Sequence, residues 1–366
     1  MAITRIGNPA LANVREPNFR NLLINGDMSV DQRNNGSSVT VGTVNPLYTL
    51  DRMPVQSSQS SKFSIQQNAG SVTPPTYFKN YIGATSLSAY TVTSGDYFTI
   101  RQGIEGSNII NLAWGTSDAK TITLSFWVRS SLTGTFGGSF TNSAFNRSYP
   151  FSYTISSANT WEKKSITVAG DTSGTWLTTN GVGIYVTFGL GVGSTYSGTA
   201  GAWSASGLLS ATSATSVVGT NAATFFMTGM QLEAGSVASD FEFLPVDVNL
   251  ERCKRYYQLL NPLSDTSVIS VATSYTTTTA YSVLSLNPEM RAQPSLDQVT
   301  GTDYFVYLNA GNSRTFDSFA MSTGYSINRY IRINNSDNLS TNTTAGQSGW
   351  FTTNNTSSFI GLDSEL

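Results

Sequence analysis

The chain contains no histidine, a single cysteine and few charges. Without histidine, acyl-transfer triads built on an imidazole are excluded, and so is imidazole acid–base chemistry. Cys253 alone excludes an intrachain disulfide, and zinc sites of the Cys/His kind have no ligands. Charged residues make up 11% of the chain and its formal net charge is −2, with no cluster of Lys and Arg. A groove for nucleic acid needs several phosphate-neutralising cations, so nucleic acid is not an expected partner. No run approaches the roughly 20 apolar residues of a membrane span, and the segment Met1–Arg20 lacks the apolar centre of a signal peptide. No membrane insertion is expected, and no cofactor or metal.

What the chain does have is 39% hydrophobic and 11% aromatic residues, enough for a folded core. Its polar surface must then come from Ser, Thr, Asn and Gln. Thr and aromatics suit a pleated surface, and Gly and Asn supply turns. Between Thr121 and Arg129, Ile122, Leu124, Phe126 and Val128 alternate with polar residues and with Trp127, the period of a half-buried strand. Val182, Ile184, Val186, Phe188 and Leu190 repeat that alternation. Further strands are expected at 62–67, 97–102, 165–169 and 224–232. The fold class is all-β: an antiparallel jelly-roll sandwich, a short connecting helix and a small C-terminal β-domain. The expected boundaries are an arm over 1–20, the jelly roll over 21–246, the helical connector over 247–262 and the β-domain over 263–366.

The connector breaks the strand pattern. Asp247 is placed to cap a helix that Asn261-Pro262 ends, and Leu250, Cys253, Tyr257 and Leu260 would form one stripe along it. That stripe either packs within the chain or forms a seam between copies. After Pro262, strands are expected at 282–286, 304–308, 330–333 and 350–362. This part reads as too polar to bury a generous core alone.

Carboxylate hydrolysis is the one bond-breaking chemistry the composition leaves open, since a glycosidase needs only two Asp or Glu. Glu105, Glu162 and Asp171 are available for it, but each reads better as a turn or loop carboxylate. Asp51, Asp118 and Asp171 could serve a structural calcium, although no spaced calcium loop is present. The chain is therefore read as a non-enzyme. Its candidate ligand groups are aromatic: Trp127, Trp161, Trp176 and Trp203, whose indole faces suit the C–H faces of sugars. The competing assignment for each is packing at a sandwich edge.

Several stretches, in order, resemble bacteriophage tail-fibre and virion-fibre proteins. They are Arg20-Asn-Leu-Leu-Ile-Asn-Gly-Asp-Met-Ser-Val-Asp-Gln-Arg33, Tyr48-Thr-Leu-Asp-Arg52, the segments 161–176 and 230–241, Cys253-Lys-Arg-Tyr-Tyr257, Asn287-Pro-Glu-Met-Arg-Ala-Gln-Pro294 and Ile360-Gly-Leu-Asp-Ser-Glu-Leu366. The resemblance implies a jelly roll like a carbohydrate-binding module, a short helix and a β-tip that assembles as a homotrimer. It also implies virion localisation, attachment to other virion proteins through the N-terminal arm, and a host-surface polysaccharide as ligand. The arm before Asn21 is short for such a fibre, which leaves tail, capsid or another fibre as the attachment point. A virion decoration protein and a carboxylate-dependent depolymerase are the alternative readings.

Overall fold

The computed structural model describes residues 19–44, 46–261 and 267–366. Residues 1–18 of the expected attachment arm lie outside the described residues. Two units divide the chain: a first over 19–27, 40–44 and 56–243, and a second over 28–39, 46–55, 244–261 and 267–366.

The first unit is an antiparallel jelly-roll sandwich. One sheet runs Phe63–Gln67, Ile82–Ser86, Thr224–Ala234, Ile122–Ser130 and Glu162–Val168. The other runs Tyr97–Glu105, Val182–Val192, Gly134–Thr141 and Ser148–Ile155. The alternation read from sequence sets the inward faces: Ile122, Leu124, Phe126 and Val128 are fully buried, as are Ile184, Val186, Phe188 and Leu190. Phe126 meets Phe188 and Tyr153 edge-on, each at 5.0 Å between centroids, which joins the inward faces of the two sheets. The Asn25-Gly26 step lies tight on Met230: the Met230 amide donates to the Gly26 carbonyl at 2.9 Å, and a Cβ on Gly26 would run into the Met230 carbonyl oxygen. Asn21 Nδ2 donates to that same Met230 oxygen. Two of the segments in the fibre resemblance thus hold each other within this unit.

The second unit carries a seven-stranded sheet in the order Asn312–Phe316, Phe305–Asn309, Ser348–Thr353, Val268–Ser274, Ala280–Ser285, Tyr330–Asn335 and Phe319–Met321. A three-stranded sheet runs Tyr257–Leu259, Ile360–Asp363, Ser295–Gln298. The segment expected to be too polar to bury a generous core alone holds an aromatic one, in which Phe305, Phe316, Phe319 and Phe351 meet at 4.7–5.7 Å between centroids. Aromatic rings concentrated on one face of the sheet outweigh the high polar content.

The expected jelly-roll range 21–246 is interrupted by residues 28–39 and 46–55, which belong to the second unit. Their buried charges explain why. Arg33 pairs with Asp363 at 3.0 Å and Glu365 at 3.3 Å, and Arg52 pairs with Glu365. The guanidiniums lie over Tyr257 at 3.6 Å and Tyr256 at 3.7 Å. Tyr48 donates its hydroxyl proton to the carbonyl of Leu366. Arg291 donates to the carbonyls of Ser364 and Glu365.

The connector is also corrected. Its helix spans Val246–Lys254, with Pro245 at the N-cap and Asp247 in the first turn, making no side-chain cap. Tyr257 then lies in the strand Tyr257–Leu259, so Leu250, Cys253, Tyr257 and Leu260 do not share a helical stripe. Tyr257 pairs with Asp363 instead, because the C-terminal strand offers it a full ladder. Cys253 and Tyr257 are buried within their own unit and offer no seam to another copy, while Leu260 packs on the aromatic core.

Two outcomes test the charge cluster. Glu365→Ala, leaving two buried guanidiniums short of a carboxylate, should lower unfolding stability by about 3–5 kcal/mol in urea titrations. Burial pushes Asp51 up to about 6, against the lowering pull of Arg33 and of the Gln32 hydrogen bonds. The folded chain therefore holds this proton more tightly than the unfolded one, so its contribution is full below about pH 4 and is lost as pH rises to about 6. Urea midpoints should show Asp51→Asn gaining about 2–3 kcal/mol relative to wild type between pH 4 and 6, then staying level.

Candidate functional site

The outward face of the Tyr97–Glu105, Val182–Val192 and Gly134–Thr141 sheet differs from an ordinary wet surface. Thr187 lies opposite both Arg101 and Ser139, and Tyr185 opposite Thr141. Thr99, Ser139, Thr141 and Thr187 are all buried on this face. The segment between the Ser194–Tyr196 turn and Thr215 covers them. It is fastened where Ser204 and Ser148 exchange backbone hydrogen bonds, where Gly201 donates to the Pro150 carbonyl, and where Thr215 donates to the Thr135 carbonyl. Beneath it the hydroxyls of Thr99, Ser139, Thr141 and Thr187, and that of Ser210 on the segment itself, meet no protein acceptor or donor. Such groups favour a partner, and buried water is the usual one.

Where this cover ends, a cleft of about 340 Å³ opens. Tyr97 and Arg101, four residues apart on one strand, share its floor, and Gln56 lies beside them. Tyr196, Ser206 and Leu208 come from the covering segment, and Phe145 from the turn between two strands of the same sheet. Tyr97 meets Tyr196 edge-on at 5.6 Å. Phe145 stacks on Tyr185 at 5.3 Å and 22°, and the Arg101 guanidinium lies 4.2 Å from the Tyr185 centroid and 5.4 Å from that of Phe145. Stacking holds the guanidinium in one orientation before any ligand arrives. Aromatic walls with an amide, a hydroxyl and a fixed guanidinium are the groups that take the C–H face and the hydroxyls of a sugar.

The four tryptophans named from sequence are not brought into this cleft. Trp176 is buried and Trp203 half-buried in a cluster with Trp114, at 4.7, 5.3 and 5.6 Å between centroids. Tyr149 closes on Trp203 at 5.1 Å. Asp171 anchors the group: it receives two hydrogen bonds from Arg147 and one from the Trp176 indole N–H. Trp176 is therefore corrected from ligand candidate to packing residue, while Trp203 meets its neighbours edge-on and donates its indole N–H to the Ala169 carbonyl. Trp161 donates to the Thr73 carbonyl and packs edge-on against Tyr81 at 5.6 Å. Trp127 stays half-buried on the outward face of the opposite sheet, across from Lys163 and Thr228.

The carboxylates considered for hydrolysis or calcium are engaged as well. Glu162 accepts from the Ser156 and Ser157 amides and from Lys164, which hold its carboxyl below the ordinary range; the Lys164 bond acts most strongly. Glu105 accepts from Ser107, and Asp51 from Gln32. Asp118 is exposed. Among the described residues no three His, Cys, Asp or Glu side chains gather as a metal site, and no helix is long and apolar enough to cross a membrane.

In the sequence the cleft residues stand out less than the tryptophans do. The available signal was a Tyr–Arg pair at i, i+4 on a strand, with Tyr185 on the polar side of the strand that follows it in the sheet.

No protein-family model matches the chain, and no curated protein matches it. Among solved structures it is similar, over 56% of its length, to the enzymatically active domain of tailspike protein 4 of bacteriophage CBA120, at 10% identity and a TM-score of 0.30. The match spans 22% of that tailspike chain. It is also similar to a putative sugar binding protein from Bacteroides thetaiotaomicron, over 59% of this chain and 100% of that one, at 10% identity and a TM-score of 0.34. A family 11 carbohydrate-binding module from Clostridium thermocellum, solved with a beta-1,3-1,4-mixed-linked tetrasaccharide, matches 55% of this chain and 98% of its own, at 10% identity and a TM-score of 0.27.

Asp171→Ala should lower the stability of the first unit by about 2–3 kcal/mol, the scale of lost hydrogen bonds to a charged group. Urea unfolding followed by tryptophan fluorescence reads this directly, because the Trp114–Trp176–Trp203 cluster reports on its own packing.

Proposed function

We propose that this chain is a phage virion fibre protein that binds host-surface glycan through the first unit's cleft and does not cleave it. The observation that carries the reading is Arg101 held against the Tyr185–Phe145 stack, beside the Tyr97–Tyr196 pair. Nothing in that arrangement needs histidine, a metal or a reactive carboxylate. It offers ring faces and hydrogen-bonding groups, which bind saccharides weakly and reversibly.

The fibre role is supported by the order of the resembling segments. Virion localisation, attachment through the N-terminal arm and a homotrimer belong to the same proposal. Weak single sites suit such a particle, since tethering several copies raises their effective concentration at a cell surface. A trimer seam along Leu250, Cys253, Tyr257 and Leu260 is not part of the proposal, because two of these are buried in their own unit.

Binding of the fluorescently labelled chain to host cells, or to polysaccharide extracted from them, tests this. Tyr97→Ala should weaken binding about tenfold, the scale of one aromatic contact of 1–2 kcal/mol. Trp127→Ala should leave it near wild type. Equal binding by wild type and Tyr97→Ala would contradict the assignment of the cleft, and new reducing ends in the polysaccharide would contradict the non-enzymatic reading.

A further inference from the structure

A second cluster, in the C-terminal sheet of the second unit, carries an uncompensated charge. On this sheet Val283 lies opposite Arg332, and Tyr281 opposite Asn334. Alternation puts Tyr281, Val283 and Arg332 on one face, away from the phenylalanine core. The short turn Thr323–Tyr325 folds over this face, and Ser326 fastens it by accepting the Arg332 amide at 3.0 Å and donating to the Ser322 carbonyl at 2.9 Å. The Arg332 guanidinium is thereby held 3.8 Å from the Tyr325 ring centroid and 4.6 Å from that of Tyr281. Tyr275, 73% exposed, meets Tyr281 edge-on at 5.4 Å.

Arg332 forms no ion pair among the described residues, and its buried Nε meets no acceptor. Other arginines of the unit are compensated: Arg33, Arg52 and Arg329 by carboxylates, Arg291 and Arg314 by carbonyl oxygens. A guanidinium covered on its faces by rings still presents its edge, and that edge forks a carboxylate with two parallel hydrogen bonds. The exposed Tyr325 and Tyr275 rings beside it suit the C–H face of a pyranose. The cluster holds one cation, matching the single charge of a carboxylate better than the roughly −1.5 to −2 of a phosphate monoester.

We infer that Tyr275, Tyr281, Tyr325 and Arg332 form a second saccharide site, selective for a carboxylated sugar such as a uronic or sialic acid. This site uses no residue of the first unit's cleft, and each can fail without the other.

Calorimetric titration of the full chain tests it, with trigalacturonic acid and 3′-sialyllactose as acidic probes, galactotriose and lactose as their neutral counterparts, and galactose 6-phosphate. Wild type should prefer each acidic sugar to its neutral counterpart by about tenfold or more, the scale of a charge-assisted hydrogen bond. Arg332→Gln should erase that preference, with an unchanged thermal midpoint as the folding control. Tyr325→Ala should weaken the acidic sugars further, and Lys163→Gln, which removes an exposed cation of the first unit, should leave the preference intact. Equal affinity for acidic and neutral sugars, tighter binding of the phosphate, or a preference that survives Arg332→Gln would each overturn the inference. So would a solution oligomer, dissociated by Val283→Asp, in which this face is covered by a second copy.

Discussion

The pair formed by Arg52 and Glu365, with Arg33 shared into it, is the constraint on which the second unit depends. A buried guanidinium without a carboxylate is costly, and removing either partner leaves the other stranded. The pairing therefore forces segments separated by more than 300 residues in sequence to stay together. Once Asp363–Glu365 is held, the strand Ile360–Asp363 can pair with Tyr257–Leu259 on one side and Ser295–Gln298 on the other. Burial opposes charge on Arg33, and Glu365, Asp51 and Asp363 together keep it charged. The cluster is specific because no single member balances the others.

This constraint explains what the ordered segments of the fibre resemblance do physically. Met28–Arg33, Tyr48–Arg52, Cys253–Tyr257, Asn287–Pro294 and Ile360–Leu366 supply the charges, rings and carbonyls of one cluster. Arg20–Asp27 and Met230–Phe241 do the corresponding work in the first unit, through Asn21, Gly26 and Met230. Residues that look like a signature of function are here the fastenings of the scaffold. A scaffold of this kind leaves its loops and outward sheet faces to carry tyrosine and arginine for recognition.

Much of the strand pattern was legible because alternation is a local property. Ile122–Val128 and Val182–Leu190 announce their inward faces without knowledge of any partner. The strands Gly134–Thr141 and Ser148–Ile155 were harder, since glycine, serine and proline dilute the period and only pairing across the sheet reveals them. The helix was overextended at Tyr257 because a stripe spaced three, four and three fits a helix locally, while Asp363, over 100 residues on, offers a strand partner. The proposed sugar site escapes the sequence for a related reason. Tryptophan is a strong prior for stacking, but Trp114, Trp176 and Trp203 satisfy one another, a pairing that sequence spacing does not reveal. Tyr97, Arg101, Phe145 and Tyr196 become a site only when a covering segment stops beside them.

The central claim is that the first unit's cleft holds a sugar. A crystal structure of the chain grown with an oligosaccharide from the host surface tests it most directly. The account predicts a sugar ring against Tyr97 and Tyr196, with a hydroxyl within hydrogen-bonding distance of Arg101. A ring bound on the Trp127 face, or an empty cleft at saturating oligosaccharide, would contradict it.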